Sequence, residues 1–191
     1  MSESTVAERV CLAIGAAAVS LERQGRCVLL AATGCLGLVI GILVYLTDRD
    51  ASRAALIPTI AALAGHKVFG TLGQWLPGFV HPFAFSLFTA AALPSRPLPR
   101  YGACIAWCAV NVAFEAGQHP QVKLRLAKAL RDSLGQAPPA QALADYFLRG
   151  TFDRGDIVAA VLGALAAAAV LRWIQPVSGK NMRHEALGSA R

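Results

Sequence analysis

Apolar residues run in long blocks along this chain, and the polar residues gather between them. The clearest block is Cys27–Leu46, twenty residues without a charge. As a helix it matches a bilayer core, which takes about 20 apolar residues to cross. Gly34, Gly37 and Gly41 recur at helical spacing and share one face. A face without side chains admits a close neighbour, so the spacing predicts a helix packed there. Thr47, Asp48, Arg49 and Asp50 end the block.

Three further blocks have the same character. Leu76–Leu93 opens with Pro77, His81 and Pro82. Tyr101–Gln118 stays apolar until Asn111, which is expected to hydrogen-bond across to another helix, and Glu115. Asp156–Ile174 starts with carboxylates suited to a helix N-terminus and finishes with Arg172 and Trp173, residue types that favour a membrane interface. The pattern predicts an all-α integral membrane bundle of four transmembrane helices. Ala54–Gly65 is apolar but interrupted by Pro58. Residues 54–75 therefore read equally as a surface helix or a broken span, which leaves five or six spans open.

The remaining segments divide the chain. Val10–Leu21 is too short an apolar run to span, and residues 1–26 read as an N-terminal interfacial segment. Residues 27–174 form the transmembrane domain. Within it, 119–148 is a polar insertion with an amphipathic start: Val122, Leu126, Ala129, Leu130 and Leu134 share one face, while Lys128 and Arg131 lie off it. Gly135 and Pro138-Pro139 end that helix. Residues 175–191 read as a flexible tail.

Composition agrees with this class. Of 191 residues, 55% are hydrophobic and 15% charged, against about 25% charged in a soluble domain. That excludes a disordered chain and argues against a soluble layered enzyme. Five cysteines show no staple-like spacing, which excludes a disulfide scaffold. Cys104 and Cys108 lie one turn apart in an apolar block and read as packing residues. The net charge is +7. In a soluble protein that would suggest nucleic acid. Here the basic residues sit at block ends, where lipid headgroups are the expected partner and nucleic acid is not. Arg96 and Arg100 in the short Pro94–Arg100 loop favour that side as cytoplasmic, and with it both termini.

Candidate chemistry collects at one end. Helices alternate direction, so the start of the second block, the end of the third and the start of the fourth share one membrane face. His81, Glu115, Gln118, Arg149, Asp153, Arg154 and Asp156 converge there. One reading is a polar binding or acid–base site, with His81 and Glu115 as its titrating groups. The other is a set of contacts that pins the helix ends in register. A carboxylate near hydrocarbon needs compensation, and pairing of Glu115 with Arg149, Arg154 or His81 is expected. The four histidines lack metal-ligand spacing, and neither a metal nor another cofactor is expected.

The same residues carry a resemblance. His81-Pro-Phe-Ala-Phe leading an apolar helix, Glu115-Ala-Gly-Gln118 closing the next, and Arg149-Gly-Thr-Phe-Asp153-Arg-Gly-Asp156 followed by Gly163 in the last are similar to the signature of the VanZ-like family. That family takes its name from a teicoplanin-resistance accessory protein. The likeness covers about residues 76–174. The family's Asp-Lys pair before the His is missing, since Phe79 and Val80 stand there. Ala160 stands where the family has Asn, and Val122–Leu134 lengthens the connection between Glu115 and Asp153. The resemblance implies a multi-pass protein of the bacterial inner membrane and no defined reaction. The functions it leaves in play are an envelope accessory or binding protein, a non-catalytic subunit of a larger membrane complex, and a membrane-embedded enzyme acting on a lipid-linked substrate. Membrane lipids and other membrane proteins are the expected partners.

Overall fold

The computed structural model describes residues 3–48, 68–135 and 137–174. They form six helices and, among the described residues, no strand: α1 Glu3–Thr47, α2 Leu72–Ala92, α3 Pro97–Gly117, α4 Pro120–Leu134, α5 Pro138–Arg149 and α6 Arg154–Ile174. The all-α class read from the sequence is thus observed. Two helical stretches, Gly15–Thr47 and Arg154–Ile174, are long and apolar enough to cross a membrane. The region 54–67 and the tail 175–191 lie outside the described residues.

Helix α2 is central and packs against α1, α3 and α6, while α4 and α5 pair with each other beside the end of α3. The α1–α2 seam follows from glycine spacing. From residue 15 onward, Leu30, Gly34, Gly37, Val44 and Thr47 are the buried positions of α1, with Gly41 half-buried between them. A Cβ on Gly34 would stand 2.8 Å from the Phe88 ring and 3.2 Å from the Ala84 carbonyl. One on Gly37 would stand 3.1 Å from Phe83, and one on Gly41 3.0 Å from Val80. The glycine face therefore meets a helix, as its spacing predicted. The α2–α6 seam uses the same device. A Cβ on Gly163 would collide with the Phe79 carbonyl, and Ala159, Ala160, Ala164 and Ala167 are buried along the same side of α6. The opposite side exposes Val158, Val161, Leu162 and Leu165.

Leu30, Leu87, Ala90, Cys104, Ala167 and Leu171 make the core where α1, α2, α3 and α6 meet. Its polar cross-link is Trp107 Nε1, which donates to Thr89 Oγ1 at 2.9 Å. Asn111 does not bridge helices. Its amide donates to the Trp107 carbonyl one turn back at 2.8 Å, because that acceptor lies on its own helix face.

Two boundaries differ from the sequence reading. Helix α1 runs unbroken through residues 22–26, where an interfacial segment was expected to give way to a span. Glu22 and Arg26 pair at 3.0 Å one turn apart, which lets the polar stretch stay helical. The insertion holds two helices rather than one. Gly135 ends α4 with φ of 67°, a conformation glycine adopts freely, and Pro138 then occupies the first turn of α5, where a missing N–H costs nothing. Helix α4 turns Lys123, Leu126, Ala127 and Leu130 inward, leaving Val122 and Leu134 exposed. The rotation follows from pairing with α5, whose Asp145 meets Arg131 at 3.1 Å.

Candidate functional site

Four chain segments meet at one end of the bundle. Asp48, at the end of α1, accepts hydrogen bonds from the Phe69 N–H at 3.1 and 3.2 Å, and its carboxylate lies against Gly73 at the start of α2. Trp75 covers Gly155, and Gly78 lies beneath Asp156, with a Cβ there 3.1 Å from its carboxylate. The starts of α2 and α6 are therefore in contact. The end of α3 joins them through Glu115.

Glu115 is buried and its carboxylate accepts a hydrogen bond from the Asp153 backbone N–H, just before α6 begins. Asp153 in turn accepts from the Gly155 N–H at 2.7 Å through its own side chain. Together they satisfy donors that the first turn of a helix leaves open, and their charges suit its positive end. This is a different solution from the expected one. Arg149 and Arg154 are exposed, and among the described residues no ion pair includes Glu115. Backbone N–H groups supply the positive potential that an arginine was expected to supply.

Gln118 is buried one turn further on. Its Nε2 donates to the Tyr146 hydroxyl of α5 at 2.9 Å, and its side chain fills the space over Gly150. Phe147 and Leu126 close over Gly117, and Phe114 stacks on Phe147 at 5.6 Å. Tyr146 is therefore a member of the site that the sequence reading missed. Burial raises its pKa first, and the Glu115 charge raises it further; the bond from Gln118 works against both.

Among the described residues His81 takes no part in these hydrogen bonds. Its ring stacks on Phe85 at 6.2 Å and lines an apolar groove between α1 and α2 with Leu38, Gly41, Tyr45 and Pro77. Among the described residues it has no hydrogen bond to Glu115. The shared end thus unites Glu115, Gln118, Asp153 and Asp156, with Tyr146, Trp75 and Gly78 added.

Beside the Glu115–Asp153 clasp lies an open recess of about 560 Å³. Gln118, His119, Lys123, Phe152, Asp153 and Arg154 line it. The His119 ring stands edge-on to Phe152 at 4.9 Å, and Lys123 Nζ donates to the Leu148 carbonyl at 3.4 Å. The recess so offers two cations, one carboxylate and an aromatic wall. Among the described residues no group of histidine, cysteine and carboxylate side chains could hold a metal ion. No protein family, curated protein or solved structure matches the chain.

Proposed function

We propose that this chain is a four-span protein of the bacterial inner membrane, related to the VanZ-like family. In this reading it is an accessory protein that holds the headgroup of an amphiphile, such as a lipid-linked cell-wall intermediate, at the pinned end of its bundle. Both termini are cytoplasmic. What supports the membrane assignment is where the apolar surface lies. Val28, Leu29, Leu36, Val39 and Ile40 of α1 are exposed, as is the outer side of α6. Helices α2 and α3 are 21 residues each, about 31 Å, which matches the hydrocarbon core.

The observation that carries the binding role is the recess of Lys123, Arg154, His119 and Gln118 beside the clasp. Its cations suit a phosphate or carboxylate, and the exposed apolar helix faces suit the tail of the same molecule. A binding role fits better than catalysis, because Glu115 is engaged with the backbone and His81 stacks elsewhere. The test is lipid analysis of the protein purified in mild detergent. The intact protein is expected to retain an anionic amphiphile, and Lys123→Glu with Arg154→Glu is expected to release it while the fold persists. Equal retention by that variant would overturn the assignment of the recess.

A further inference from the structure

Arg100 lies at the other end of the bundle, in the first turn of α3. It is only 3% exposed, and its Nε is buried with no hydrogen-bond partner among the described residues. Its one side-chain bond among the described residues is long: Nη2 donates to Ser95 Oγ at 3.5 Å. Among the described residues no carboxylate pairs with it. A guanidinium keeps its charge inside proteins. A buried charge without a partner is heavily disfavoured, so a counter-anion is required.

The surroundings of Arg100 are built for one. Helix α3 starts without a side-chain cap and without an acidic residue in its first turn. Pro97 and Pro99 contribute no N–H there, and the Arg96 N–H already bonds the Pro94 carbonyl at 2.8 Å, which leaves the Leu98 N–H as the open donor of the turn. Arg96 stands exposed at the N-cap. The Arg100 side chain folds back toward Ser95, the residue before that cap, and so delivers its charge beneath the same turn. Leu98 is 84% exposed beside it, and Trp173 is exposed near the end of α6.

We propose that the 95–100 turn is an anion site for a phosphate group, with Arg96 and the Leu98 N–H contacting it and Arg100 holding the charge from below. A helix N-terminus with two arginines favours such a group electrostatically. The phosphate is that of an anionic phospholipid or free phosphate, and the experiment separates them. The site is distinct from the Lys123–Arg154 recess and stands or falls independently of it.

The test is thermal unfolding of the detergent-purified full chain titrated with phosphatidylglycerol, phosphatidylcholine or inorganic phosphate. Phosphatidylglycerol is expected to raise the melting temperature saturably, and phosphatidylcholine is not. Arg96 is exposed, so Arg96→Gln keeps the fold, and it is expected to weaken the midpoint by about tenfold through loss of one charged hydrogen bond. Arg125→Gln, on the exposed side of α4, is the control and is expected to bind as the intact protein does. An equal rise with inorganic phosphate alone would assign the site to the free ion. No rise with either ligand, or an unchanged midpoint in Arg96→Gln, would overturn the proposal.

Discussion

The Glu115 carboxylate and the Asp153 N–H illustrate how much one side chain can fix. Glu115→Ala would strip a partner from a donor near the start of α6, and an orphaned donor costs about 1–3 kcal/mol. Asp132→Asn, on an exposed side chain paired only to Lys128, is expected to stay within about 0.5 kcal/mol. Chemical or thermal unfolding in detergent measures both, and equal effects would remove Glu115 from its structural role. Tyr146 adds a pH signature. Its folded pKa is raised above the ordinary value near 10, so the folded state holds the phenolic proton more tightly than the unfolded chain. The stability this gives is intact below about pH 10 and is lost as pH rises through the folded value. Tyr146→Phe is therefore expected to flatten the alkaline loss of stability seen in the intact protein, with phenolate absorbance as the direct readout.

At the scale of helices, the close approaches are what the fold depends on. Gly163→Ala would drive a Cβ into the Phe79 carbonyl, and overpacking of this kind costs about 1–3 kcal/mol. Gly102→Ala meets nothing within 4 Å and is expected to gain a few tenths of a kcal/mol or more from helix propensity. Opposite signs in a melting experiment are the expected result; a loss at both positions would mean that α3 packs against something at Gly102. The Gly34–Gly41 face was legible in the sequence because glycine spacing states its own purpose. The shared end of Glu115, Gln118, Asp153 and Asp156 was legible because helix direction alone decides it. The ring contacts of His81, on Phe85 and in the α1–α2 groove, were not, since direction gives the level of a residue along the bundle but not its angle around the helix. Helix α5 escaped for a different reason. Pro138-Pro139 reads as the stop of one helix, yet proline is also a natural first residue of the next. Tyr146 was lost with it.

For the whole molecule, the long α1 has a consequence for its surroundings. Its uncharged block Cys27–Leu46 has 20 residues, about 30 Å, which already matches the hydrocarbon core, yet the helix runs on unbroken before it. In the proposed membrane setting, the charged turn of Glu22, Arg23 and Arg26 then lies at the headgroups, and the turns before it lie beyond the hydrocarbon. From Leu30 onward the helix is sealed to α2, whereas before it a Cβ on Gly15 or Gly25 would meet nothing within 4 Å among the described residues. The response to bilayer thickness is thus concentrated in one unpacked arm, the turns before Glu22. Thickening the bilayer with longer acyl chains is expected to draw that arm inward, lowering the water accessibility of a spin label at residue 19 while one at residue 44 stays unchanged. The protein would then register membrane thickness through a single helix, with its other packed seams left undisturbed.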